Sequence, residues 1–350
     1  MKNRILRAVC LCVALICFAS SSFAGPVETE KLKVVSTIFP PYDFVRQIAG
    51  DHVELMMLLP PGSESHSFEP RPQDIISIGS CDVFIYIGGQ TDAWVNRILE
   101  SIDTENIMVL SLLAMVDAVE EEIIEGMEHG HEHEDEHGHE EDHEHDDEHG
   151  HEDDHEHEDE HGHEDDHGHD HEEEVELDEH VWTSPQNAKR IVEALCETLC
   201  SLDPANAETY RQNTAAYSEE LSALDAAFQA VVDGAVRKTV LFGDRFPFRY
   251  LADAYGLSYY AAFPGCATET EARATTIAFL IDKVREEEIP VVFQIEFSSG
   301  KIADVICEST GAEKLEMHSC HNVSREDFQS GVTYMELMLY NVEQLKEALH

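Results

Sequence analysis

The chain has 350 residues, a formal net charge of −51 and 27% charged residues. That length allows two domains of ordinary size. So acidic a surface argues against nucleic acid and anionic membrane as direct ligands, and it suits the attraction of cations.

The N-terminus reads as a secretory signal over residues 1–24. Lys2, Arg4 and Arg7 form a positive start, an apolar run follows over 5–19, and Ser22-Phe23-Ala24 supplies a cleavage site before Gly25. A lipid anchor on Cys17 is the weaker reading, because Ala14-Leu15-Ile16 puts no small residue directly before the cysteine. No later segment reaches the ~20 apolar residues of a membrane span, so the expectation is a soluble, exported, periplasmic or otherwise extracytoplasmic protein. Cys81, Cys196, Cys200, Cys266, Cys307 and Cys320 remain after the signal, an even number that permits disulfides in an oxidising compartment. Cys196 and Cys200 lie four apart on a predicted helix and read as small apolar packing residues.

Periodicity and turn residues predict strands over 32–37, 53–59, 83–87 and 107–110, with helices over 43–49, 72–79 and 94–101 and a turn over 39–42. A low-complexity stretch then runs over 128–174, with 26 acidic residues, no Lys or Arg, and 16 of the 22 histidines. It contains three copies of a twelve-residue unit, over 134–145, 146–157 and 158–169. Such a run has nothing apolar to bury, so it cannot offset the entropy of ordering and reads as a mobile loop. Its repeated His-Gly-His pairs, His137 and His139, His149 and His151, His161 and His163, are good donors for divalent transition metals. A merely solvated acidic linker would need no histidine.

Order resumes near Val175. A helix is predicted over 185–199, then a long amphipathic one from Asp203-Pro204 to Gly234, with Tyr210, Tyr217, Leu221, Leu224, Phe228 and Val231 on one face. Strands over 239–242, 257–262, 290–295 and 314–317 alternate with helices over 247–255, 275–288 and 301–310, and a helix closes the chain over 332–349. The fold class is therefore α/β: two lobes (31–201 and 238–350), each a mainly parallel sheet with flanking helices, bridged by one long helix over 203–233. Ligands of such sheets sit at the carboxyl ends of strands, here in the cleft between lobes.

Six histidines lie outside the repeat. His52, in a turn, and the terminal His350 read as solvent-exposed, whereas His66, His180, His318 and His321 stand in loops after strands or before helices. Around them the sequence resembles the metal-binding extracellular components of zinc and manganese ABC importers, of the ZnuA and adhesin-like type. The resemblance covers nearly all of the mature chain. It rests on Pro61-Gly62-Ser63-Glu64-Ser65-His66-Ser67-Phe68-Glu69-Pro70, Asp178-Glu179-His180-Val181-Trp182, Asp203-Pro204-Ala205-Asn206, Tyr250-Leu251-Ala252-Asp253-Ala254-Tyr255-Gly256-Leu257 and Phe293-Gln294-Ile295-Glu296-Phe297.

The resemblance implies one metal held between two lobes joined by a rigid helix, with delivery to a membrane permease driven by an ATPase, no catalysis, and a monomeric protein. Its first two ligands fall on His66 and His180 and its fourth on His318. The third, normally histidine, falls on Arg245, which cannot ligate. His321, Asp244, Cys266, Glu296 or water could replace it, with His321 or water favoured. Arg245 is expected to pair with Glu271 or Glu296, and Cys266 with Cys320 in a disulfide. An imidazole-rich site suits Zn2+ over Mn2+. A periplasmic zinc buffer or chaperone is the alternative function. A zinc hydrolase is disfavoured because no H-E-x-x-H motif is present. The repeat is expected to supply weak accessory sites and the cleft one tight site.

Overall fold

The computed structural model describes residues 31–64, 68–127, 176–267 and 271–350. The signal-like start, His66 and the histidine-rich repeat lie outside the described residues. The first lobe has β1 (Leu32–Ser36), β2 (Val53–Met57), β3 (Val83–Tyr86) and β4 (Met108–Ser111) in the order β2-β1-β3-β4, all parallel. The second has β5 (Thr239–Phe246), β6 (Ser258–Pro264), β7 (Val291–Gln294) and β8 (Glu313–Glu316) in the order β6-β5-β7-β8, again parallel. The second order repeats the first with every strand advanced by four, so the two sheets share one topology.

Helices α1 (Phe39–Ala49), α2 (Pro72–Gly79) and α3 (Ala93–Ser101) belong to the first lobe, followed by α4 (Pro185–Leu202) and α5 (Ala207–Gly234). The second lobe adds α6 (Arg249–Tyr255), α7 (Ala274–Glu286), α8 (Lys301–Thr310), α9 (Arg325–Ser330) and α10 (Tyr334–Leu349). Residues 39–42 are not a free turn but the first turn of α1, where Pro40 and Pro41 forfeit only N–H groups that have no helical partner. The short α9 has no apolar period to announce it; the Ser324 hydroxyl caps it by accepting from the Asp327 N–H, and Gly331 ends it at φ 81°.

The spine is α5. Its 28 residues span about 42 Å at ~1.5 Å per residue, and Tyr210, Tyr217, Leu221, Leu224, Phe228 and Val231 are all buried along it. It packs on α4, α1 and α10, and one apolar core runs without a break from Val34 and Phe44 in the first lobe through Phe228 to Phe242 and Phe293 in the second. Two polar ties fasten the start of α10 into this core. The Tyr334 N–H donates to Asp43 Oδ2 at 2.6 Å, and its hydroxyl donates to the Trp182 carbonyl at 2.6 Å.

The turn after β3 is built around Asp92, a buried carboxyl that accepts from the Ile87 N–H at 2.6 Å. Burial, opposed by that hydrogen bond and reinforced by the charge of Glu179, pushes its pKa up to about 7. A carboxyl raised in the fold is protonated there while it is already ionised in the unfolded chain. Stability should therefore fall as pH rises from about 4 to about 7 and level off above, by a few kcal/mol at ~1.4 kcal/mol per unit. Asp92→Asn keeps an acceptor and removes the titration. Melting temperatures at pH 5 and pH 8 should converge in the variant relative to the parent.

Candidate metal centre

Loops from the carboxyl ends of β2, β5, β6, β7 and β8, together with the segment that enters α4, meet between the lobes. His180 stands on a single helical turn, where its carbonyl accepts from the Thr183 N–H at 3.0 Å and hydroxyl at 2.8 Å. Its ring Nδ1 lies 3.1 Å from Asp178 Oδ1, which also accepts from the His180 N–H at 2.8 Å. A carboxylate only accepts, so Nδ1 carries the proton and Nε2 keeps the lone pair that a metal needs. Tyr250 holds this arrangement in turn, its hydroxyl donating to the Asp178 carbonyl at 2.8 Å. Gly265 closes against the ring. A Cβ there would lie 3.1 Å from His180 Nδ1 and 2.8 Å from the Phe246 carbonyl.

The second imidazole comes from the loop after β8. Cys320 takes φ 64°, which turns its sulfur into the core and its successor, His321, toward the cleft. The His321 and His180 rings stand edge to face with centroids 4.8 Å apart, and Trp182 flanks His321 at 4.7 Å. Both histidines are buried, and they line a cavity of about 20 Å³ with Glu64, Arg245, Glu296 and Ser319. A single water needs roughly 10–15 Å³ on this measure, so the chamber fits one ion or one water. Among the described residues no three His, Cys, Asp or Glu side chains form a complete metal-binding group.

The remaining expected residues are placed differently. His318 does not line the cavity; its Nδ1 accepts the Cys320 N–H at 2.9 Å and lies 3.7 Å from Glu296 Oε1. Glu296 does line it, but the Ser319 N–H donates to its Oε2 at 2.7 Å and the Ser319 hydroxyl donates to its Oε1. It therefore orients the loop rather than offering a free carboxylate. The expected Cys266–Cys320 disulfide is absent, and both thiols are free. Cys320 is fully buried, with Asp43 and Glu296 among its charged surroundings, while Cys266 sits beside Glu121, Glu179 and Asp178, and in both cases burial raises the thiol pKa. Arg245 pairs neither with Glu296, whose oxygens are taken, nor with the exposed Glu271. Its guanidinium bonds both oxygens of Glu64 at 3.2 Å. Ser65, His66 and Ser67 lie outside the described residues, as do His137, His139, His149, His151, His161 and His163.

Several residues that matter here carried no motif. Asn341 brackets His318, its Oδ1 accepting the His318 N–H at 2.7 Å and its Nδ2 donating to the His318 carbonyl at 2.8 Å. The sequence signal was available: Asn341 interrupts the buried face of α10 made by Tyr334, Met338, Val342 and Leu345. Trp182 Nε1 donates to the Ser319 carbonyl at 2.8 Å, and Asn322 Nδ2 donates to the carbonyls of Pro60 and Ser63 at 2.8 and 2.9 Å. Behind His180, Glu121 accepts from the Cys266 N–H at 2.8 Å and Glu179 from the Thr91 N–H at 2.8 Å, with burial raising the Glu121 pKa. The site's rear wall is thus acidic.

Known proteins share this architecture. The chain is 28% identical over 344 residues to the high-affinity zinc uptake system protein ZnuA of Bacillus subtilis, covering 98% of this chain and 95% of that protein. It is also 28% identical over 346 residues to the zinc-binding lipoprotein AdcA of Streptococcus pneumoniae, but there spans only 60% of the relative's length. Among solved structures, the metal-dependent lipoprotein YcdH of Bacillus subtilis superposes with TM-score 0.68 at 25% identity, over 91% of this chain and 99% of that one. The Zn(II)-bound ZnuA-like domain of Streptococcus pneumoniae AdcA has the same fold, with TM-score 0.67 at 24% identity over 91% and 99% of the two chains. A family model described as zinc-uptake complex component A, periplasmic, matches residues 34–348, and the chain belongs to that family.

Proposed function

We propose that the protein is a solute receptor that captures Zn2+ outside the cytoplasm and hands it to the permease of an ABC importer. The reading rests above all on the His180–His321 pair, two buried imidazoles 4.8 Å apart around an ion-sized chamber. His66 is the third ligand in this proposal. Glu64, two positions before it in sequence, already lines the chamber. Water completes the usual four-coordinate zinc shell, and Glu296 and His318 brace the loop that carries His321. Imidazole donors favour Zn2+ over Mn2+, which prefers carboxylates. The protein does no chemistry on its cargo. Coordination supplies affinity, the acidic rear wall raises the local concentration of cations, and release follows when the permease parts the two lobes. The histidine-rich repeat is an accessory collector of several weak sites.

An imidazole must shed its proton to bind metal. Calorimetric titration with zinc should therefore show at least about a tenfold loss of affinity between neutral pH and two units below the ordinary imidazole pKa of ~6.5. Unchanged affinity would rule out a histidine-built site. Asp178→Asn removes the carboxylate that fixes the His180 tautomer and should weaken zinc binding by roughly 10–100-fold with little change in fold. Removing residues 128–174 should abolish the weak zinc stoichiometry and leave one tight site. Loss of that tight site would move the receptor function into the repeat.

A further inference from the structure

Arg245 stands where the family's third imidazole is expected, and the structure gives it another task. In β5 the pairing with β6 shifts register between Phe242 and Arg245. That irregularity is possible because Gly243 lets the backbone approach α8, where a Cβ would lie 2.6 Å from Ala303 Cα. A bulge re-aims the residue that follows it, and here it sends Arg245 out of its own lobe. The guanidinium crosses to Glu64 of the first lobe with two parallel contacts, Nη1 to Oε1 and Nη2 to Oε2, both 3.2 Å, and donates to the Ala267 carbonyl at 3.4 Å. The Arg245 side chain is 9% exposed and that of Glu64 37%.

The pair also separates two spaces. The ion-sized chamber beside His180 and His321 and a neighbouring cavity of about 510 Å³ are both lined by Glu64, Arg245 and Phe297. Phe297 is held at φ 60° and is 46% exposed. An ion leaving the small chamber for the large one must pass this partition. Charge gives a second reason for the pair. A permanent guanidinium beside a dication repels it, and Glu64 cancels that repulsion while bridging the lobes.

We propose that Glu64 and Arg245 are positioning residues that act as one gate, neither ligating zinc, and that the pair sets how long zinc stays. This rests on the zinc-receptor reading above. Breaking one partner of a hydrogen-bonded charge pair acts mainly on the dissociation rate. The test loads the full chain with one equivalent of zinc and follows release to a chromophoric chelator in stopped flow. Glu64→Gln should speed release about tenfold, since it opens the bridge and leaves the guanidinium beside the zinc unopposed, and adding Arg245→Met should bring release back toward the parental rate by removing that charge. High salt should accelerate release from the parent but not from Glu64→Gln. The visible spectrum of the Co2+-loaded protein should be the same in all, since no ligand is lost. Parental release rates in Glu64→Gln, or effects of the two substitutions that simply add, would overturn the gate. Should the Arg245 variant fail to fold, Glu64→Gln and its salt dependence decide alone. A parent that retains no tightly held zinc equivalent would refute the receptor reading itself, a different result from fast release.

Discussion

The site depends on one loop being fastened to the lobe it does not belong to. Residues 317–323 leave β8 in the second lobe, yet the carbonyls of Ser319, His321 and Val323 are all held by the first. Trp182 holds the Ser319 carbonyl, the Phe39 N–H donates to the His321 carbonyl at 3.1 Å, and the Gly62 N–H donates to the Val323 carbonyl at 2.8 Å. Each such bond contributes only about 1 kcal/mol net, but leaving a buried group unmet costs more. The lobes therefore cannot part without exposing these groups to water together. His321 faces His180 across this same junction, so the pairing of the two imidazoles and the closure of the lobes are one property.

Around that fastening the charges are arranged unevenly. Asp178, Glu179 and Glu121 crowd the side of the cleft behind His180, and desolvation raises the Glu121 pKa as burial of unneutralised charge must. On the opposite side stands Arg245, already matched by Glu64. A dication between them meets an attractive wall and a neutralised one. The acidity of the whole chain acts only at short range, because physiological salt screens exposed charges beyond ~8 Å.

Much of this was legible in the sequence. The alternation of elements gave both sheets, since buried parallel strands such as 83–87 and 290–295 read as continuous apolar runs bounded by turn residues. The long helix was plain from its apolar stripe. Pro40 and Pro41 misled because proline opens helices as readily as turns. The site was half legible. His180 follows from its motif, while the sequence reading set His318 ahead of His321, three residues on, because the positive φ of Cys320 between them, which turns His321 toward the cleft, leaves no trace in the sequence. Arg245 was recognised as unable to ligate. Its partner was assigned within its own lobe because a bulge leaves no periodic trace. The free cysteines follow from the same turn at Cys320, which points its sulfur inward.

The stems of the repeat-bearing insertion are closed on each other. Glu120 and Leu177 form an antiparallel bridge, flanked by the Glu121 N–H to Glu176 carbonyl and Asp178 N–H to Val119 carbonyl bonds at 2.8 and 2.9 Å. The chain that leaves at Glu121 and returns at Glu176 thus has its ends already joined, and the entropy of closing a loop grows by only about 0.6 kcal/mol for each doubling of its length. The length of chain inserted beyond that bridge is thereby separated from the position of Asp178 and His180, which follow directly after it.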